Sequence, residues 1–164
     1  MSRRLTTILV VPLLALGLTF AALGLPKAYA ASGNPHFVKS GTSGSLSGST
    51  LNVVFKEAGL AAGSIETITV SGVGTATYQC YNNGGKHPQA ANKETVSSTQ
   101  TSTGNFPVDQ NGNLTGSLQL QAPGPGNFSC PAGQYMVGPT NVSFTNVMLV
   151  DQTSGATYSL GNFG

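Results

Sequence analysis

Cys80, Cys130, His36 and His87 are the residues of this chain best suited to nucleophilic or metal chemistry, and it holds no other cysteine or histidine. A nucleophilic cysteine or serine needs a base in hydrogen-bond reach, most often histidine. His36 follows Pro35 near the expected mature N-terminus, and His87 precedes Pro88 in a polar loop. No Gly-x-Ser-x-Gly turn surrounds a serine. His-x-His, His-Glu-x-x-His and acid-rich calcium loops are absent. Asp109-Gln110-Asn111-Gly112-Asn113 offers oxygen ligands and a glycine but no closing acid, so it reads as a turn. Gly84-Gly85-Lys86 lacks the spacing and the following hydroxyl of a phosphate loop. Glycoside hydrolysis needs two carboxylates flanking a sugar, and Glu57, Glu66 and Glu94 read instead as solvated charges at strand ends. The expectation is a protein with no catalytic centre, no metal and no other cofactor.

Residues 1–30 read as a secretory signal peptide. Arg3 and Arg4 form the charged start, Ile8 to Leu25 an apolar run broken by Pro12, Gly17 and Gly24, and Ala28-Tyr29-Ala30 the small residues at −3 and −1. Ser2-Arg3-Arg4-Leu5 faintly resembles a twin-arginine signal, while the leucine-rich centre favours the general secretory route. Cleavage after Ala30 leaves 134 of the 164 residues as a single domain, 31–164, expected to be secreted, extracellular and without a membrane span. Four lysines then face five carboxylates, a net charge of −1. So weak a charge excludes electrostatic binding of nucleic acid. In an oxidising compartment the pair Cys80 and Cys130 is expected to form a disulfide rather than a catalytic thiol or metal pair. It would close a loop of about 50 residues, worth roughly 4 kcal/mol in the chain-entropy picture.

The elements that must carry these residues are strands. Apolar and polar residues alternate and helical periodicity is nearly absent. Leu51, Val53 and Phe55 share one face. Ile68, Val70, Ala76, Tyr78 and Cys80 share another, with Gly72 and Gly74 between them allowing a bend or bulge. Leu114, Leu118, Leu120 and Ala122 form a third face, and Val142, Phe144, Met148 and Val150 a fourth. Phe106 and Val108 suit an edge strand beside Pro107. Asn111-Gly112 is a hairpin signal, and Leu60-Ala61-Ala62-Gly63 suits a single turn between strands. Seven or eight strands at this spacing predict an all-β, antiparallel, immunoglobulin-like β-sandwich with one disulfide.

Pro35-His36-Phe37-Val38-Lys39, Asn52–Leu60, Tyr78–Pro88, Thr115–Leu120 and Cys130-Pro131-Ala132-Gly133-Gln134 together resemble a family of small secreted proteins of actinomycetes and similar soil bacteria. That resemblance implies a fold and an extracellular address but no activity. Leu46–Ser64, with Ala58-Gly59-Leu60-Ala61-Ala62-Gly63, is similar to the early strands of the enediyne-chromoprotein apoproteins of the neocarzinostatin type. These are secreted immunoglobulin-like sandwiches with two short-range disulfides. This chain has one long-range cysteine pair, so no binding residue is carried over.

Two surfaces suit binding. The loop after Cys80 concentrates Tyr81, Asn82, Asn83, Lys86, His87 and Lys93, and a loop rooted by a disulfide is a common way to present a binding surface. Thr95–Thr103 reads as an exposed edge strand. A flat ice- or polysaccharide-binding face would need such threonines repeated over several strands, and no repeat period is visible. Trp is absent, and Tyr81, Tyr135 and Tyr158 are the candidate sugar-stacking rings. The expected function is surface binding to an extracellular protein or envelope polysaccharide. The alternatives are a carrier of a small apolar ligand and a secreted hydrolase with an unrecognised site.

Overall fold

The computed structural model describes residues 33–82, 84 and 92–164. The expected signal peptide and Asn83, Lys86 and His87 of the expected binding loop lie outside these residues. Eight strands form two antiparallel sheets. β1 (His36–Phe37) and β2 (Ser43–Ser47) lie end to end along one edge of β3 (Thr50–Ala58), separated by a 3-10 turn at Lys39–Gly41, and β6 (Asn113–Gln121) lies along the other edge. The second sheet has the order β5 (Lys93–Pro107), β4 (Ile65–Asn82), β7 (Gln134–Asp151), β8 (Thr157–Phe163). The chain crosses between sheets after β3, β5 and β6, and hairpins join β2–β3, β4–β5 and β7–β8. This is an immunoglobulin-like path. Among the described residues no helix is long and apolar enough to cross a membrane.

Alternation explains the core. Leu51, Val53 and Phe55 of β3 and Leu114, Leu118 and Leu120 of β6 meet Ile68 and Val70 of β4 and Phe144, Val147 and Leu149 of β7. The Phe106 ring stands edge-on to Phe55, with centroids 5.0 Å apart. A Cβ added at Gly116 would come 2.5 Å from that ring, so glycine is what lets the ring pass between the sheets.

β4 and β7 have 18 residues each, while β3 and β6 have 9. The inner face of the longer sheet therefore outruns its partner. The segment 122–133 leaves β6 and covers the excess. Tyr78 donates its hydroxyl to the Pro123 carbonyl at 2.8 Å, and the Cys80–Cys130 disulfide joins the end of β4 to this segment.

Three local expectations change. Asn111-Gly112 makes a turn, with Gly112 at φ 74°, but the strands it joins belong to different sheets, so it is not a hairpin. In β7, Asn146 adopts φ 53° at a break in register. That bulge switches the buried parity, so Val147, Leu149 and Asp151 face inward and Met148 outward. Glu57 and Glu66 are not solvated: both are buried between the sheets, at strand positions whose neighbours on the same face are core residues.

Intact protein should show no alkylated thiol before reduction. Replacing Cys80 and Cys130 together by Ala should lower the unfolding free energy in urea titration by about 2–4 kcal/mol. Gly116→Val should cost about 1–3 kcal/mol by the same measurement, because Phe106 cannot withdraw from both sheets.

Candidate functional site

β4 turns one set of residues into the core and the other outward. After Ile65, an exposed apolar residue at the start of the strand, the outward set runs Thr67, Thr69, Ser71, Val73, Thr75, Thr77, Gln79, Tyr81. Antiparallel register places Asn105, Thr103, Thr101, Thr99, Ser97, Thr95 and Lys93 of β5 opposite the first seven in turn. At ~3.3 Å per residue the array from Thr67 to Tyr81 is about 45 Å long. On the other side, β7 sets Val150 beside Thr69, Met148 beside Ser71, Thr145 beside Val73, Ser143 beside Thr75, Asn141 beside Thr77 and Tyr135 beside Tyr81. No linear repeat announces this array. A hairpin builds it by folding two hydroxyl-rich runs onto one face.

Three pairs of hydroxyls are bonded across the strands. Thr69 and Thr103 lie 2.9 Å apart, Thr75 and Ser97 2.8 Å, and Thr77 and Thr95 3.0 Å. Thr67 donates to Asn105 Oδ1 at 2.9 Å. Within a hydroxyl pair one O–H is used, so each pair keeps one donor and free acceptor lone pairs for a third group. On the β7 side, Gln79 Nε2 donates to Thr140 Oγ1 at 3.3 Å. Lys93 is the one charged side chain of this face among the described residues, and it sits at the end of the β5 row.

The face ends on two aromatic rings. Tyr81 and Tyr135 are register partners on β4 and β7, with ring centroids 6.1 Å apart and planes 31° from parallel. Tyr135 is 46% exposed and its neighbour Met136 37%. The Tyr81 hydroxyl donates to Gln79 Oε1 at 3.4 Å. Of the expected binding loop, the structure thus places Tyr81 and Lys93 at one end of this face, and Asn82 is exposed beside them. Tyr158, the third candidate ring, packs instead on Phe37 in the interior, with centroids 6.3 Å apart.

A cavity of about 300 Å³ beside Lys56, Asp109 and Thr115 opens at the β5–β6 turn. Its acid is engaged: Asp109 Oδ1 accepts the backbone N–H groups of Asn111 at 2.8 Å and Asn113 at 2.9 Å. The Asn113 amide, foremost among such donors, holds the carboxyl below its ordinary range. His36 Nδ1 lies 2.8 Å from the Asn34 carbonyl oxygen on an exposed strand. Among the described residues no three His, Cys, Asp or Glu side chains form a metal-binding group. The protein is thus an immunoglobulin-like sandwich with a long polar outer face. Comparison with protein-family models, with curated proteins and with solved structures finds no match.

The two kinds of tyrosine should separate in stability measurements. Tyr135→Ala removes an exposed ring and should change the unfolding free energy by no more than about 0.5–1 kcal/mol. Tyr78→Phe leaves the Pro123 carbonyl without its donor and should cost about 1–2 kcal/mol.

Proposed function

We propose that this protein is a secreted, non-catalytic β-sandwich that binds an envelope or extracellular polysaccharide of neutral charge through the outer face of its four-stranded sheet. The observation that carries this reading is the uncharged ladder of paired hydroxyls that ends on the Tyr81–Tyr135 pair. A sugar chain offers hydroxyls at its edges and C–H surfaces on its ring faces. The ladder supplies donors and acceptors for the first. The exposed Tyr135 ring supplies an apolar plane with a polar tip for the second.

Two further features support a polymer rather than a small molecule or a crystalline surface. The space between the sheets is filled by Phe55, Phe144, Leu51 and Ile68, so a partner meets the outside of the sandwich. Register shifts at Ser71/Val73 and Thr77/Gln79 add to the ordinary sheet twist. A flexible chain follows a twisted surface, whereas a planar lattice such as ice touches only part of it.

The test is affinity electrophoresis of the mature protein through gels containing hydroxyethylcellulose, laminarin, starch or galactomannan, with sedimentation on chitin alongside. Retardation on at least one is expected. Tyr135→Ala should weaken it roughly 3–10-fold, the worth of one aromatic contact. Thr99→Lys, which places a charge in mid-ladder, should weaken it too. Absence of retardation on all of these glycans, with no loss of binding to isolated envelopes after glycan digestion, would move the reading to a protein partner.

A further inference from the structure

Three carboxylates are buried between the sheets toward the end of the sandwich opposite the tyrosine pair, Glu57 and Asp151 beside one another and Glu66 near enough for its charge to act on Glu57. Glu57 comes from β3, Glu66 from β4 and Asp151 from β7. Glu57 and Asp151 have no solvent exposure and Glu66 has 4%. The Ser154 hydroxyl donates to Glu57 Oε1 at 3.3 Å, the Thr153 amide to Asp151 Oδ1 at 2.8 Å, and the Ser64 hydroxyl to Glu66 Oε1. Two oxygens remain. Glu57 Oε2 and Asp151 Oδ2 are buried and receive no donor, although the two side chains are within hydrogen-bonding reach of one another.

Among the described residues no cation acts on Glu57. In register with Glu57 stand Phe37 of β1 and Leu114 of β6, and Tyr158 of β8 packs on Phe37. The charges that act on Glu57 from the facing strands are those of Asp151 and Glu66, both acidic. Lys56 and His36 occupy the alternate positions of β3 and β1 and so belong to the other face of that sheet. Two ionised carboxylates in such an interior would be strongly unfavourable. One proton between them satisfies both orphan oxygens.

We propose that Glu57 and Asp151 share a single proton, Glu57 Oε2–H donating to Asp151 Oδ2, and that this bond is a pH-sensitive latch between the two sheets. Burial first, and the Asp151 charge second, push the Glu57 carboxyl from 4.5 up to about 7. The folded chain therefore keeps, between pH 4.5 and 7, a proton that the unfolded chain has released. The stability this proton contributes is complete below pH 4.5, falls as pH rises to about 7 and then levels. Once the proton leaves, repulsion acts where Asp151, Thr153 and Ser154 enter the β7–β8 turn, and this turn loosens first.

The test is the Tm of the mature protein by calorimetry from pH 4.5 to 8, with an infrared search for a buried protonated carboxyl at pH 5.5. The expected Tm fall is about 5–10 °C, with a protonated-carboxyl band present at pH 5.5. Glu57→Gln should lose the band and flatten the profile, because its amide donates to Asp151 without a proton to give up. Asp151→Asn, a second variant should the first fold poorly, should shrink the slope between pH 5.5 and 8 by giving Glu57 a donor. A flat wild-type profile, an unchanged slope in Glu57→Gln, or no band in the wild type overturns the latch.

Discussion

The unequal lengths of the two sheets are the constraint from which the rest of this structure follows. β4 and β7 run 18 residues, and the strands they pack against run 9. Half of a long sheet's inner face would meet water unless something else covered it, and an exposed apolar sheet face is unfavourable. The segment 122–133 is that cover. It has no strand partner to hold it, so its attachment depends on a few contacts: the Tyr78 hydroxyl on the Pro123 carbonyl, and the disulfide from Cys130 to Cys80. A covalent link suits this place, because an irregular segment brings no ladder of hydrogen bonds to offset its ordering entropy. The cysteines are thus part of the packing of the long sheet.

The same excess length makes the outer face. A strand of ordinary length would carry two or three outward threonines. Beyond Ile65, β4 carries eight outward positions and β5 matches seven of them, and cross-strand bonds join the hydroxyls in pairs at three of these rungs, on either side of Val73. Pairing also orders these side chains before any partner arrives, which lowers the entropy lost on binding. Inward, β4 has Gly72 and Gly74 between Val70 and Ala76. A Cβ at Gly74 would meet Gln100, Pro123 and Phe144 at 3.0–3.1 Å, so the covering segment approaches the sheet closely there.

Much of the fold was legible because alternation is a local signal. The inward faces of β3, β4 and β6 can be read directly from Leu51-x-Val53-x-Phe55, from Ile68 to Cys80, and from Leu114 to Leu120. The β7 face was misread beyond Phe144, since one extra residue at Asn146 exchanges the two faces and no composition marks it. The hydroxyl face was not legible either. Thr95–Thr103 reads as an edge strand, but its register against Thr67–Thr77 depends on the hairpin, and only that register makes rows. Glu57 and Glu66 show the converse failure. Their positions continue the buried parity of Leu51-Val53-Phe55 and precede that of Ile68-Val70, so alternation placed them inward. Their charge argued outward, and packing prevailed because Glu57 can shed its charge by keeping a proton and Glu66 accepts the Ser64 hydroxyl.

The acidic end and the aromatic end lie on one strand pair, and their separation has a physical consequence. The turn that carries Thr153 is bonded to the first rung of the ladder: Gln152 N–H donates to the Thr67 carbonyl at 2.8 Å, and the Thr67 N–H to Thr153 Oγ1 at 3.1 Å. Loosening of that turn therefore reaches the Thr67–Asn105 rung directly. The tyrosine pair is some 45 Å away at ~3.3 Å per residue, beyond the disulfide-held cover and across two register shifts. Local opening is confined to the contacts that share the perturbed groups, so loss of the buried proton frays the hydroxyl ladder from its acidic end while the aromatic anchor keeps its geometry.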